Sequence, residues 1–424
     1  MKRSLLKFVI LAVVVAIAII SCQMPQSSTP SGPSAPVVLK LSGWGANPAE
    51  KSLLRQVLND FEAEHPQIRV RFEEIADQYM DVVKTRLIGD AAPDVFYLDA
   101  LEAPFLVSQG VLEPLDSYIT TDFDINDFET TLLNPFKYQN HIYGLPKDYS
   151  TLALFYNKTA FADAGVTSPP STWDELRAVS KALTRDRNQD GRPDQYGFGV
   201  IPELARQVYA IRAFGGRLVD EKGYATYATD EGMAGLKLVI DQYQQDHTSA
   251  MKTDVGTNSG SEMFGQEKVA MVIDGNWAIA YLNDTFPDLK FDTAEVPTIN
   301  GKPGTMVFTV AYVMNQQSQH KQEAWELISY LTGKVGMAKW TGTGFALPSR
   351  KSVAQALGYD HDPLRDALVA GVPYATPWQA GEYPAAVMND FDNQFLSAML
   401  GQQPLQQALL KAQQNTNNQI KASL

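Results

Sequence analysis

Residues 37–45 read VVLKLSGWG and residues 94–99 read DVFYLD, and the segment that they enclose decides the fold. Each stretch is a short apolar strand that ends in a turn. Between them the pattern predicts a helix with an apolar stripe, a strand with one polar face and a second helix: Leu53–Phe61, Ile68–Phe72 and Tyr79–Ile88. This alternation predicts a parallel sheet with helices on both faces. Ligands bind at the carboxyl ends of such strands, where Trp44 and Asp99 lie.

A second α/β unit follows the first. Thr172–Glu175 is a capping box that opens a helix. Two apolar strands, Thr151–Tyr156 and Thr309–Asn315, lie about 160 residues apart and each follows a Gly/Pro-rich turn. A chain that crosses between two lobes and returns needs such a pair, and a paired crossover makes a hinge with a cleft beside it.

The rest of the chain reads as further helices with two strands between them. The predicted elements are helices over Leu204–Phe214, Asp230–Tyr243, Ser261–Gly265, Lys321–Leu331, Leu364–Val369 and Leu405–Ala412, and strands over Val269–Ile273 and Val307–Met314. The tail from Gln413 is polar and rich in amides, so no order is predicted for its end.

The amino terminus has the pattern of a secretory signal. Three basic residues, Lys2, Arg3 and Lys7, precede an apolar run over 8–20, which is shorter than the roughly 20 residues of a membrane span. Cys22 is the only cysteine of the chain. Its context, Ile19-Ile20-Ser21-Cys22, looks like a bacterial lipobox, so residues 1–22 are predicted to be a lipoprotein signal peptide that ends at a lipidated Cys22. The alternative is an uncleaved anchor with a structural cysteine.

Residues 23–36 are predicted to be a flexible tether, because eight of the fourteen are Pro or Ser and none is charged. Removal of the three basic residues with the signal changes the formal charge from -13 to -16. This acidic body argues against binding to nucleic acid. Without a further cysteine, the body has neither a disulfide nor a thiolate metal site.

Six segments, in order along the chain, resemble a known family. They are Leu39–Trp44, Gly89–Phe96 (GDAAPDVF), Tyr143–Pro146 followed by Leu154–Lys158 (YGLP and LFYNK), Thr172–Leu176 (TWDEL), Phe264–Met271 and Gly275–Trp277. Together they resemble the family 1 extracellular solute-binding proteins of ABC importers, the group that includes maltose-binding protein. The resemblance covers about Val38 to Ile420.

The resemblance implies a periplasmic-binding-protein-like α/β fold, with two α/β lobes joined by crossover strands and a ligand cleft between them. On this basis residues 37–147 plus 311–347 are predicted to form the N-terminal lobe, and residues 152–306 plus 350–424 the C-terminal lobe. The lobes are expected to close on a ligand by a hinge motion.

Candidate ligand-binding residues follow from the matched segments. Sugars are bound by aromatic faces, which cover their C–H patches, and by carboxylates or amides, which bind their hydroxyls. The candidates at strand ends and crossovers are Trp44, Asp99, Asp148, Trp277, Trp340 and Trp378. Each has an ordinary structural alternative: a tryptophan fills a core, Asp99 caps a helix, and Asp148 pairs with Lys147.

The segment 186–194 reads DRNQDGRPD and resembles the start of a calcium loop. Its candidate ligands are Asp186, Asn188, Asp190, Arg192 through its backbone carbonyl, and Asp194. Position 12 of the loop is Gly197, so the usual bidentate Glu is missing. The segment is therefore either a structural calcium site completed from elsewhere or an Asx-rich turn. No other cofactor is predicted.

Enzyme motifs are missing: the sequence has no GxSxG, no HExxH and no complete phosphate-binding loop. Together with this, the family resemblance implies binding without catalysis, by a monomeric, lipid-anchored subunit of an ABC importer that lies at the extracytoplasmic face of the cell membrane. Its predicted partners are a sugar or oligosaccharide and the permease. Two alternatives remain at this point: a lipid-anchored glycoside hydrolase that uses Asp99 and Asp148 as paired carboxylates, and a carbohydrate-adhesion module.

Overall fold

The computed structural model describes residues 35–45, 48–89 and 91–423. Its strands are β1 Val37–Gly43, β2 Ile68–Glu74, β3 Val95–Asp99, β4 Lys137–Tyr138, β5 His141–Ile142, β6 Gly144–Asn157, β7 Phe198–Val200, β8 Ser249–Met251, β9 Met271–Gly275, β10 Phe291–Ala294, β11 Thr305–Met314 and β12 Ala375–Pro377.

The helices of the first half are α1 Pro48–Glu64, α2 Tyr79–Ile88, α3 Ala103–Ser108, α4 Thr130–Leu133, α5 Lys158–Ala164, α6 Trp173–Leu183 and α7 Leu204–Ala213. Those of the second half are α8 Asp230–Gln244, α9 Gly260–Gly265, α10 Trp277–Thr285, α11 Lys321–Leu331, α12 Lys334–Thr341, α13 Lys351–Leu357, α14 Asp366–Ala370, α15 Pro384–Met399 and α16 Leu405–Ser423.

The first lobe has the parallel sheet that the sequence predicts. Strand β1 pairs in parallel with β2 on one side and with β3 on the other. Leu39 and Leu41 of β1 are fully buried, and the predicted stripe of α1 supplies buried side chains to the same core cluster. The apolar positions of β2 alternate with exposed ones at its start, so only one side of that strand packs against the core.

The second lobe is built on the other half of the same sheet. The strand order is β2-β1-β3-β11-β6-β9-β7-β8, with β10 beside β6 and β12 beside β11. Strands β7, β8 and β9 pair in parallel, and they lie against separate core clusters from those of β1 to β3. The two lobes therefore share one continuous sheet, because β6 and β11 are long enough to extend into both.

The two crossover strands predicted from the sequence are β6 and β11, and they pair with each other in antiparallel fashion. A bulge interrupts the pairing: Val310 lies opposite Asp148, the next residue Ala311 lies opposite Pro146, and Lys147 is left without a partner in the register. A third segment also crosses here, since Leu347 and Tyr149 exchange two backbone hydrogen bonds at 3.1 and 3.2 Å.

Arg350 lies at the predicted boundary between the lobes. This buried guanidinium donates to the carbonyls of Phe123, Asp124 and Thr332, and it pairs with Asp127 at 3.3 Å. All four partners belong to the first lobe. The side chain of residue 350 thus contacts the predicted N-terminal lobe, although 350–424 is predicted to belong to the C-terminal lobe, and this boundary stays a prediction.

The prediction that the end of the chain has no ordered structure is wrong, because α16 continues through the polar tail to Ser423. Polar groups of this tail have specific partners in the second lobe. The Gln413 side chain accepts from the backbone N–H of Ala228, and that of Asn417 accepts from Ala225. The hydroxyl of Thr416 lies 3.1 Å from that of Tyr227. The amide-rich composition therefore serves a packed helix rather than a frayed end.

Candidate functional site

One face of β11 connects the candidate residues of the two lobes. Phe308, Val310 and Tyr312 alternate along the strand and so point to the same side of the sheet. Val310 lies opposite Asp99 on β3 and opposite Asp148 on β6, so both carboxyl groups belong to this side as well. We call the space on this side, between the two lobes, the cleft.

The first-lobe wall of the cleft is a buried polar cluster around Asp148. The indole N–H of Trp340 donates to Asp148 Oδ2 at 2.8 Å, and the neighbouring Lys147 ammonium binds the same oxygen. The Lys147 Nζ atom also lies 4.4 Å from the ring centroid of Trp340 and 4.8 Å from that of Tyr97. Trp340, a predicted ligand-binding residue, is only 6% exposed in this structure, which leaves little of its ring for a ligand.

Asp99 lies at the end of β3, as predicted, and is only partly exposed. Its Oδ1 atom accepts from the backbone N–H of Leu101 at 2.8 Å, which is the helix-cap type of contact that the sequence analysis kept as an alternative. Burial raises the pKa of Asp99 to about 6, against the lowering effect of the Leu101 N–H and with added repulsion from Glu102 and Asp148. At pH values near 6 this carboxyl group is present in both its protonated and its ionised form, so it can donate a hydrogen bond to a hydroxyl or accept one from it.

Trp44 follows β1 and packs edge-on against two tyrosines. Its ring centroid lies 4.9 Å from that of Tyr79 and 5.2 Å from that of Tyr97. The Tyr79 hydroxyl donates to backbone carbonyls of Ser42 and Tyr97, which fixes this aromatic cluster to β1 and β3. Trp44 is partly buried, so part of its surface is accessible beside Tyr97, which also contacts Lys147.

The second-lobe wall presents Trp277, which is 40% exposed. Trp277 is the first residue of α10, directly after β9. Its ring lies 5.5 Å from Phe308, tilted by 66°, so the crossover strand supports it from one side. A Cβ at Gly275 would approach the indole Cη2 to 2.3 Å, and a glycine is therefore needed at that position for the ring to lie where it does.

A buried ion pair supports Trp277 from another side. The guanidinium carbon of Arg206 lies 5.1 Å from the Trp277 ring centroid, and its Nη2 atom donates to Asp274 Oδ1 at 3.1 Å. Asp274 is 2% exposed and also accepts from the Ser261 hydroxyl at 2.6 Å and from the Gly275 N–H. The Arg206 charge is thus neutralised beneath the ring, and the pair orients an aromatic surface that remains open to solvent.

Trp378, also predicted to bind ligand, lies in the core of the second lobe, and its role in binding stays a prediction. It is 5% exposed and belongs to the main core cluster of the second lobe, because its backbone N–H joins β11 at Val307 and its ring packs inward. The next residue, Gln379, instead reaches the first lobe, where its amide nitrogen donates to the carbonyls of Ala100 and Pro135 at 3.1 and 3.2 Å.

The segment 186–194 forms a compact turn in which the predicted calcium ligands bind backbone N–H groups. Asp194 accepts from Arg187 and Asn188, Asp186 accepts from Gly191, and Asp190 accepts from Arg192. Among the described residues, no three His, Cys, Asp or Glu side chains are grouped so that they could bind a metal ion together. The calcium alternative is untested by this geometry and stays a prediction.

Three contributors to the site were missed by sequence reasoning: Lys147, Arg206 and Phe308. In the sequence analysis Lys147 enters only as the ion-pair partner that would give Asp148 a structural role in place of ligand binding. Phe308 had a usable signal, since alternation along a crossover strand places it on the same side as Val310. Arg206 lies in the first turn of α7 without any motif, and only the fold brings it to Trp277.

The predicted lipidation site, Cys22, lies outside the described residues, as do the signal peptide and the tether up to residue 34. Across the part of the chain that the structure covers, no helix has the length and apolarity needed to cross a membrane.

Comparison with known proteins gives relatives that cover most of the chain. A protein of Brucella abortus (strain 2308) named as a binding protein is 29% identical over 326 residues, which cover 76% of this chain and 78% of that protein. The galactooligosaccharide-binding protein of Bacillus subtilis is 22% identical over 427 residues and covers 97% of this chain and 96% of its own length.

Solved structures show the same fold. An ABC substrate-binding protein of Listeria monocytogenes in complex with cycloalternan superimposes with a TM-score of 0.79 at 22% identity, over 91% of this chain and 99% of the other. The sugar-binding protein MalE of Xanthomonas citri also gives a TM-score of 0.79, at 21% identity, over 90% of this chain and 97% of the other. Residues 45–338 match the family described as bacterial extracellular solute-binding protein, and the chain belongs to that family.

Proposed function

We propose that the protein captures a sugar or oligosaccharide between its two lobes and delivers it to the permease of an ABC importer. The observation that carries this proposal is Trp277, an aromatic ring that is 40% exposed on one wall of the cleft, while the partly exposed Asp99 carboxyl group lies on the opposite wall. An accessible aromatic face opposite hydrogen-bonding carboxyl groups is the chemistry that sugar recognition needs.

The names of relatives support the same ligand class. Besides the galactooligosaccharide-binding protein, they include a maltotriose-binding protein of Pyrococcus abyssi at 26% identity and an arabinooligosaccharide-binding protein of Bacillus subtilis at 24% identity. A mannitol-binding protein of Pseudomonas aeruginosa, at 22% identity, extends the class to sugar alcohols. The ligand of this chain is therefore sought first among oligosaccharides and second among polyols.

Closure is the proposed signal to the permease. A ligand that contacts both walls stabilises the closed form only through its difference in affinity for the two forms. Strands β6 and β11 and the segment around Leu347 all pass between the lobes, so they are the proposed hinge. A rigid adhesion module would lack ligand-dependent closure, and small-angle scattering with and without ligand distinguishes the two.

A thermal-shift screen tests the ligand class. The probes are maltotriose, galacto-oligosaccharides, arabino-oligosaccharides and mannitol, with inorganic phosphate as a chemically unrelated control. A ligand at 100 times its dissociation constant adds about 2.7 kcal/mol to the free energy of unfolding, which a melting curve resolves. Failure of every carbohydrate and polyol in a broad library to raise the melting temperature would contradict the proposal.

We further propose that binding occurs without turnover. A glycoside hydrolase needs two carboxyl groups that are free to act on the glycosidic bond. Here Asp148 Oδ2 is already bound by the Trp340 N–H and by Lys147, which suits a structural role better than nucleophilic attack. Incubation with each bound oligosaccharide, followed by chromatography of the products, tests this. Release of shorter sugars at a rate that Asp99→Asn abolishes would support the hydrolase instead.

The proposed location is the extracytoplasmic face of the cell membrane, with a monomer anchored only through lipid on Cys22. The lipobox-like sequence around Cys22 and the uncharged Pro/Ser-rich segment after it support this. Expressed in a bacterium, the full chain should partition into the detergent phase after cleavage, and Cys22→Ala should leave an uncleaved precursor. A processed wild-type chain that stays in the aqueous phase would exclude the anchor.

A further inference from the structure

A small, partly open cavity of about 20 Å³ lies in the second lobe, where β7 leads into α7. Most of the residues that line it are apolar, as expected in a core. Four of them carry polar side-chain groups, and they come from two helices: Trp173 from α6, and Arg206, Gln207 and Tyr209 from α7.

In three of these residues one polar atom is buried and unpaired. Trp173 Nε1, Arg206 Nη1 and Gln207 Oε1 find no hydrogen-bond partner among the residues that the structure describes. Trp173 is 3% exposed and Gln207 4%. The Gln207 amide nitrogen donates to the carbonyl of Ile201 at 2.8 Å, so its oxygen is the atom left to accept. Two donors and one acceptor therefore belong to residues lining a single cavity.

We propose that this cavity is the binding site of one water molecule. A water needs at least about 10–15 Å³ and typically makes about three hydrogen bonds to buried polar groups, and both requirements match this cavity. The water accepts from Trp173 and Arg206 and donates to Gln207. A larger ligand does not fit the volume, and dry apolar packing would leave three polar atoms without partners, which native interiors avoid.

The water site also has a consequence for the cleft. Arg206 binds Asp274 through Nη2 and lies beneath Trp277, so its Nη1 atom connects the internal site to the exposed ring. A water bound to Nη1 fixes the second arm of the guanidinium and with it the surface beneath Trp277. This consequence rests on the proposed function of Trp277, whereas the water site itself does not.

Direct observation is the first test. A high-resolution crystal structure of the ligand-free full-length protein should show one electron-density peak within hydrogen-bond distance of Trp173 Nε1 and Gln207 Oε1. Oxygen-17 relaxation dispersion should count one long-lived internal water fewer in a double variant, Trp173→Phe with Gln207→Leu. A cavity without density in a well-ordered wild-type structure would overturn the proposal, whatever the protein binds.

The second test asks whether a substitution that fills the cavity raises or lowers the melting temperature. Val239 lines the cavity, and Val208 is a buried valine of the same core cluster that does not line it. If Val239→Ile displaces the water, three polar atoms lose their partner, and the melting temperature should fall about 2–8 °C below that of the matched control Val208→Ile. A dry cavity gives the opposite sign, because a methyl group that fills a void stabilises. A Val239→Ile variant at least as stable as Val208→Ile would therefore contradict the water site.

Discussion

The two walls of the cleft contain the same three kinds of residue in different arrangements. On the first-lobe wall, Trp340 is buried, its N–H binds Asp148, and Lys147 covers its ring. On the second-lobe wall the three residues are Trp277, Arg206 and Asp274. Here Arg206 and Asp274 form an ion pair with each other beneath the ring, and Trp277 remains 40% exposed.

This difference separates stability from recognition. A tryptophan whose N–H and ring face are both used inside the protein contributes mainly to the fold. A tryptophan whose support comes from behind keeps a surface for a partner. We therefore expect substitutions in the buried cluster of Asp148, Lys147 and Trp340 to destabilise the protein, and substitution of Trp277 to weaken binding.

The largest effect is expected for Asp148→Ala. The substitution leaves Lys147 buried without its carboxylate, since Lys147 is 4% exposed, and it removes the acceptor of the Trp340 N–H. Breaking a buried pair in this way costs about 3–5 kcal/mol of stability, which urea unfolding measures. The matched control is Asp60→Ala, which removes an exposed ion pair with Lys339 on the same helix as Trp340 and should have little effect. Equal stability of the two variants would contradict a structural role for Asp148.

The pairing of Asp148 with Trp340 shows where sequence reasoning reaches its limit. The two residues are 192 positions apart, and nothing local to either one indicates that they meet. The predicted elements, by contrast, depend on local periodicity, and Lys321–Leu331 and Tyr79–Ile88 agree with the structure to the residue. The Gly275-x-Trp277 pattern could also be recognised from the sequence, because the tryptophan ring lies over a glycine only two residues before it.

The next largest effect is expected for Asp99→Asn, which should change how the free energy of unfolding depends on pH. Its pKa is about 6 in the folded protein against an ordinary value of 3.8, so the folded state binds this proton more tightly than the unfolded state. The stabilising contribution is therefore complete below pH 3.8 and is lost as the pH rises through 6. Asp99→Asn mimics the protonated group, so it should be more stable than the wild type by about 2–3 kcal/mol at pH 7 and nearly equal to it at pH 4.

Asp392 provides the matched control for Asp99. Burial raises its pKa to about 6 as well, while it accepts from the Leu204 N–H at 2.6 Å within the second lobe. Asp392→Asn should change stability with pH in the same direction but leave sugar affinity unchanged, whereas Asp99→Asn should change both. Denaturant titrations at several pH values and calorimetry with a ligand from the screen measure the two effects. Identical sugar affinity in both variants would contradict a role for Asp99 in ligand binding.

A smaller free-energy effect, on binding alone, is expected for Trp277→Ala. Loss of a large aromatic contact typically costs about 1–3 kcal/mol, which corresponds to roughly tenfold weaker binding or more. The melting temperature of the ligand-free protein should change little, because the ring is largely at the surface. Tyr281→Ala is the matched control, since Tyr281 is 38% exposed on the same helix and contacts Phe286 instead of Phe308. Calorimetry that shows equal losses in both variants would contradict a specific role for Trp277.

The smallest effect concerns the turn at 186–194. This turn differs from both walls of the cleft, because its side chains are exposed and its hydrogen bonds are local. The calcium prediction expects chelation to lower the melting temperature. The hydrogen bonds give the opposite expectation, because the carboxylates of Asp186, Asp190 and Asp194 already accept from backbone N–H groups as Asx turns do. We expect a chelator to leave the melting temperature and the sugar affinity unchanged, and Asp194→Ala to lower the melting temperature equally with and without calcium. A calcium-dependent rise that Asp186→Ala abolishes, with metal detected in the purified protein, would instead establish the site, and a ligand from outside the turn would then have to replace the missing Glu.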